Sequence, residues 1–150
     1  MTQIYIVDCT PLTDGSIIAQ LLPFFDTKRQ QKITALKSAL KKAQTAAAGL
    51  LLRHCFGTQA QYYYGDHGKP YLADGRSYFS ISHSGQWVAM AVSDKEIGAD
   101  IQVSSPIRPS VLRRCFTADE QIMIGKDASV FTRLWTQKEA YAKNNDHCFA

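Results

Sequence analysis

The chain has 150 residues, of which 45% are hydrophobic and 20% charged, and a net charge of +4. That length fits one compact domain or two small lobes sharing a core, and the composition excludes a disordered or low-complexity chain. No apolar run is long enough to cross a bilayer, and Asp8 interrupts the N-terminal apolar stretch too soon for a secretory leader, so a cytoplasmic protein without membrane attachment is predicted.

Residues 3–8, QIYIVD, read as a first strand. Residues 13–22 have Ile17, Ile18, Leu21 and Leu22 at helical spacing. A basic helix or turn follows Asp26 and Thr27. Residues 37–56, rich in Ala and Leu, predict a long helix with Leu40, Ala47, Leu51 and Leu52 as its buried stripe. Residues 60–75 have aromatic strand character broken by Gly65, Gly68 and Pro70, which predicts a short strand and a loop. In residues 78–83 Phe79 and Ile81 alternate with Ser80 and Ser82, a turn falls at Ser84 and Gly85, and residues 87–93 are apolar on both faces, as in a central strand. Residues 97–102, IGADIQ, read as a third strand of an antiparallel meander, with Asp100 and Gln102 on one face. The remainder is helical: a short helix over 108–116, a segment over 117–124 whose Thr117 and Glu120 have capping-box spacing, and a final helix over 127–143 with Phe131, Leu134, Trp135 and Ala142 buried.

The four cysteines, Cys9, Cys55, Cys115 and Cys148, form no C-x-x-C pair, and His147 beside Cys148 makes only a weak metal motif. Reduced, packed thiols are predicted. The positive charge is local: Lys28, Arg29, Lys32, Lys37, Lys41 and Lys42 fall within residues 27–42 with no acidic residue among them. This stretch is either a solvated helix face or a patch for an anionic partner. No aromatic residues alternate with the cations, so no nucleic-acid partner is predicted. Glu139 and Lys143 stand one turn apart on one helix face, as a helix-stabilising pair or as paired site residues. Asp100 alone is compatible with a strand end capped by a backbone N–H, and His83 alone with a hydrogen-bonded turn.

Four stretches in order, GKPYL (68–72), FSISHSG (79–85), IGADIQ (97–102) and WTQKEAYAK (135–143), resemble the 4′-phosphopantetheinyl transferases of the surfactin-synthetase-activating type. The resemblance runs from about Thr27 to Lys143. It implies an α+β fold, an antiparallel sheet packed by helices, with a first lobe of about 1–95 and a partial second lobe of about 96–150. It implies transfer of 4′-phosphopantetheine from coenzyme A to a serine of an acyl or peptidyl carrier protein, with Mg²⁺. Asp100 and Glu139 match the family's metal carboxylates, with Gln102 at a third metal position. Glu139 is also the implied general base and Lys143 the lysine at the phosphates. Lys69 and Pro70 match the nucleotide loop, and Ser82 and His83 the residues at the 3′-phosphate. Lys28, or Lys32 in its place, and Thr45 match further phosphate contacts. The chain departs from the pattern at Gln102, where the family usually has Glu, and in ending at Ala150, before the closing strands of the second lobe. An unfinished sheet edge of that kind favours a homodimer or leaves the protein only marginally stable. The alternative is a short, non-catalytic relative that binds coenzyme A or a carrier protein.

Overall fold

The computed structural model describes residues 1–66 and 68–145. Strand β1 (Gln3–Asp8) is followed by a 3₁₀ turn, Thr10–Thr13, and helix α1 (Gly15–Leu21), with a second 3₁₀ turn at Leu22–Phe24. Helices α2 (Thr27–Ala35) and α3 (Ala39–Phe56) come next, then a hairpin of β2 (Tyr62–Tyr64) and β3 (Pro70–Leu72). A second hairpin, β4 (Tyr78–Ser84) and β5 (Trp87–Ser93), leads through an extended segment into α4 (Pro109–Cys115), α5 (Ala118–Ile124) and α6 (Ala128–Asn144).

Short polar side chains start the helices where the backbone N–H groups lack partners. Asp26 accepts from the Arg29 N–H in α2, Ser38 from Lys41 in α3, and Asp127 from Ser129 and Val130 in α6. The capping box predicted at Thr117 and Glu120 opens α5, and Glu120 also pairs with Lys138 of α6 at 2.9 Å. Helix α3 stops at Gly57, whose φ of 82° lies in the left-handed region that favours glycine.

The main sheet has the order β1-β5-β4, antiparallel throughout. One face packs on α3. Phe79, Val88 and Met90 meet Ala43, Ala47, Leu51 and Leu52 in a core that also holds Cys9 and Leu72. The run of alanines lets the helix approach closely, and buried Gln44 fixes the approach by donating to the Gly85 carbonyl at 2.7 Å. A second cluster joins Ile18, Phe25, Ile33 and Ala46, and a third, Phe116, Ile124 and Phe131, holds α4–α6 together.

Three expectations need correction. Leu40 is exposed, because the buried stripe of α3 is carried by Ala43, Ala46, Ala47, Leu51 and Leu52, further along the helix. Residues 60–75 contain two short strands rather than one, since the chain turns at Gly68 (φ 81°) and pairs Tyr64 with Pro70. Residues 97–102 are extended but belong to no sheet. The place beside β5 that a meander would give them is taken by β1.

Instead the segment crosses the face of β4 opposite α3. Ser80, Ser82 and Ser84 alternate with the core residues of β4 and point to that face. The Ser80 hydroxyl accepts from the Ala99 N–H at 3.0 Å and donates to the Ala99 carbonyl at 3.4 Å. The Ser84 hydroxyl accepts from the Val103 N–H at 3.0 Å. Serine side chains thus replace the backbone ladder of a strand pair. Cys9, Cys55 and Cys115 are free thiols; Cys148 and His147 lie outside the described residues.

Ser80 is 3% exposed. Ser80→Ala is expected to leave the Ala99 N–H without its partner and to lower unfolding free energy by about 1–3 kcal/mol in urea titration.

Candidate active site

The crossing segment brings Asp100 to Ser82 and to helix α6. The Asp100 side chain is 2% exposed and fully partnered. Its Oδ1 accepts from the Ser82 hydroxyl at 2.6 Å and from Lys143 Nζ at 2.6 Å. Its Oδ2 accepts from Gln102 Nε2 at 2.9 Å. Lys143 also donates to Ser82 Oγ at 2.9 Å, which closes a triangle of β4, the crossing segment and α6. Asp100 and Gln102 do share one side of their segment, as the alternation implied, although the segment is not a strand.

Gly98 makes this meeting possible. A Cβ built there would lie 2.0 Å from the Ala140 carbonyl oxygen and 2.4 Å from the Asn144 backbone nitrogen. The backbone of residue 98 therefore lies directly on α6, two residues before Asp100 and within one turn of Lys143.

Glu139, one turn before Lys143, makes no hydrogen bond or ion pair among the described residues. Burial pushes its carboxyl above the usual glutamate range, and the negative charge of Asp100 pushes it further; Lys143 and Arg108 pull the other way. Two carboxylates thus share one region, one neutralised by a lysine and the other held ready to take a proton.

His83 follows Ser82 on β4 and points to the other side. Exclusion of water holds its imidazole below the ordinary histidine range, and the charges of Lys143 and Lys32 lower it further. His83 therefore feels the charge of both α6 and the basic helix α2. On α2, Lys28 lies over the Tyr64 ring, 4.2 Å from its centre. Lys28, Arg29 and Lys32 line a cavity of about 440 Å³ with Phe24, Arg53 and Tyr62. Asp100, Glu139 and Lys143 are not among the residues lining it. Lys69 reaches the end of α6, 3.4 Å from the Asn144 carbonyl, and its neighbour Pro70 begins β3. Thr45 is turned onto its own helix, its hydroxyl donating to the Lys41 carbonyl, while Arg29 donates to the Thr45 carbonyl at 3.0 Å.

The structure thus joins Ser82, Asp100, Gln102 and Lys143, links Glu139 and His83 to them by charge, and places Lys28 and Thr45 on the α2–α3 side. Sequence reasoning missed Gly98, Ser80, Ser84 and Arg108, which lies over the Trp135 ring at 5.3 Å and acts on Glu139. The signal for the serines was present in the alternation of β4. A glycine between two apolar residues gave no sign of which helix it touches.

Comparisons with known proteins identify the family. The model of the 4′-phosphopantetheinyl transferase superfamily matches residues 96–149. The 4′-phosphopantetheinyl transferase psf-1 of Bacillus pumilus is 30% identical over 157 aligned positions, 94% of this chain and 67% of that protein. The 4′-phosphopantetheinyl transferase Sfp of Bacillus subtilis strain 168 is 36% identical over 84 positions, 52% of this chain and 38% of its own length. The 4′-phosphopantetheinyl transferase AcpT of Salmonella typhi is 31% identical over 123 positions, 74% of this chain and 62% of its own. The chain belongs to the 4′-phosphopantetheinyl transferase superfamily, a family of transferases, and spans about two thirds or less of these relatives.

Gly98→Ala is expected to push α6 off the crossing segment, costing at least about 2 kcal/mol of stability and raising amide exchange along 128–144. Glu139 supplies a pH test. It holds its proton more tightly folded than unfolded, so its contribution to stability falls as pH rises through the window above the ordinary glutamate range and is level beyond the folded value. Glu139→Gln removes that charge. Its Tm is expected to exceed that of the parent at about pH 7.5 and to equal it near about pH 4.

Proposed function

We propose that this chain transfers the 4′-phosphopantetheine group of coenzyme A to a serine of an acyl or peptidyl carrier protein, with Mg²⁺ as cofactor. The observation that carries the reading is the junction of Ser82, Asp100 and Lys143 beside Glu139, in a chain of this superfamily. The serine Oγ attacks the pyrophosphate phosphorus that bears the pantetheine arm. The P–O bond to the nucleotide breaks and 3′,5′-ADP leaves. The proton of the carrier serine passes to Glu139, directly or through water. Lys143 offers its charge to the pyrophosphate. Lys28 or Lys32, Thr45 and His83 serve the 3′-phosphate, while the Ser82 hydroxyl stays on Asp100, and an arriving phosphate would restore charge to His83. Lys69 and Pro70 serve the nucleotide.

The donor set fits Mg²⁺. Mg²⁺ takes one or two carboxylates and completes its shell with phosphates and waters, which suits the pair Asp100 and Glu139. Asp100 and Glu139 would hold it, with Gln102 as a neutral oxygen donor. Bound there, the ion would neutralise the pyrophosphate and stabilise the leaving nucleotide. The carrier partner would be acidic and would meet the positive surface of residues 27–42. Among the described residues no helix is long and apolar enough to cross a membrane, and the reading places the reaction in the cytoplasm, with coenzyme A.

Incubation with coenzyme A, Mg²⁺ and a panel of apo carrier proteins is expected to add the phosphopantetheine mass to the carrier serine. Asp100→Ala and Glu139→Ala are each expected to lower the loading rate by about 100-fold or more. A folded protein that binds coenzyme A but loads no carrier would support the non-catalytic alternative. Gln102→Glu adds a carboxylate beside Asp100 and is expected to lower the Mg²⁺ concentration for half-maximal loading. An unchanged Mg²⁺ dependence would remove Gln102 from the metal's surroundings.

A further inference from the structure

Asp100 already holds a cation. Lys143 Nζ lies 2.6 Å from Oδ1, the Ser82 hydroxyl lies 2.6 Å from the same oxygen, and Gln102 covers Oδ2 at 2.9 Å. The carboxylate is 2% exposed, so water supplies little of its solvation and the lysine supplies the charge balance. A Mg²⁺ ligand oxygen must present a lone pair at about 2.0–2.1 Å from the metal. An ammonium hydrogen-bonded to that oxygen takes the lone pair and repels the second cation. Glu139 does not hold Lys143: no ion pair joins them, and Glu139 is one turn away on α6 with no partner among the described residues. Arg108 is the other cation acting on Glu139.

On the transferase reading above, we propose that Lys143 occupies the cation seat on Asp100 in the ligand-free protein and leaves it for the pyrophosphate of coenzyme A, so that a divalent cation and coenzyme A bind cooperatively. Lys143 is part-exposed on a long flexible stem and can swing without moving α6. Once its ammonium turns to a phosphate, Oδ1 keeps the Ser82 hydrogen bond and gains a free lone pair. The exchange swaps an internal ion pair for two external ones. Metal and substrate each remove an obstacle to the other, and by linkage the enhancement is reciprocal.

The test measures Mn²⁺ binding to the full chain by electron paramagnetic resonance, with no carrier present and no turnover. The ligand-free parent is expected to bind Mn²⁺ weakly. Lys143→Met and Lys143→Gln leave a buried carboxylate without a cation and are expected to bind Mn²⁺ about 5–100-fold more tightly. Their Tm is expected to rise with Mn²⁺ more than that of the parent. The double variant Asp100→Asn, Lys143→Met is expected to lose the gain, which places the ion at Asp100. Coenzyme A is expected to tighten Mn²⁺ binding to the parent more than to the Lys143 variants, and 3′,5′-ADP, which lacks the pyrophosphate, to do neither. If both single variants are folded by circular dichroism and bind Mn²⁺ no more tightly than the parent, the proposal is overturned. Equal tightening by coenzyme A in parent and variants, or tightening by 3′,5′-ADP as large as that by coenzyme A, overturns it as well. Failure of coenzyme A to bind at any Mn²⁺ concentration would refute the transferase reading instead, while the ligand-free titrations would still decide what Lys143 occupies.

Discussion

Burying the carboxylate of Asp100 obliges three elements to converge. A carboxylate removed from water needs donors for its lone pairs and a compensating charge, or burial costs several kcal/mol. Here β4 supplies a hydroxyl, α6 supplies an ammonium and the crossing segment supplies an amide. None of the three could be removed without leaving the others under-satisfied. The close packing of Gly98 on α6 is the steric half of the same constraint, since a side chain there would hold Lys143 out of reach.

The arrangement on β4 has a second consequence. A strand added beside an edge would be fixed by backbone hydrogen bonds alone and would have sent its side chains above and below the sheet. Crossing the face of β4 on serine hydroxyls gives a different result. Ala99 and Val103 are held by their backbone groups, while the residues between them remain free to carry chemistry. Ser82 stands between the two holding serines and is the one whose hydroxyl is spent on Asp100 and Lys143. Ser80 and Ser84, four residues apart on β4, set the interval at which the segment is pinned, and Asp100 follows the first pin directly.

Periodicity was a good guide wherever an element buried one face against a regular partner. Strands β1, β4 and β5, the long helix α3, the capping box of α5 and the final helix α6 all follow from alternation, helical spacing and cap residues. Leu40 misled because a hydrophobic residue in the first turn of a helix can lie before the packed region begins. Residues 97–102 misled because β-like alternation records which side chains face a surface, and a face-crossing segment alternates as a strand does. The cluster of Ser82, Asp100, Glu139 and Lys143 could be assembled in advance only through family resemblance. Its members are up to 61 residues apart, and no local pattern tells which helix lands on which strand.

Charge divides the remaining surface in a way that suits a long anion. The basic face of α2 carries Lys28 and Lys32, the end of α6 carries Lys143, and His83 feels Lys32 and Lys143 together. A histidine that feels the charge of two lysines is a poor place for a proton and a good place for a phosphate, because an anion there relieves the repulsion. The two carboxylates impose the opposite condition. Asp100 is neutralised by Lys143, which leaves Glu139 to bear the residual repulsion. The positive and negative parts of the site are therefore each unbalanced, and Lys143 belongs to both. A ligand that brings phosphate to the lysines and a cation to the carboxylates satisfies both at once, and neither half can be fully satisfied while Lys143 is committed to the other.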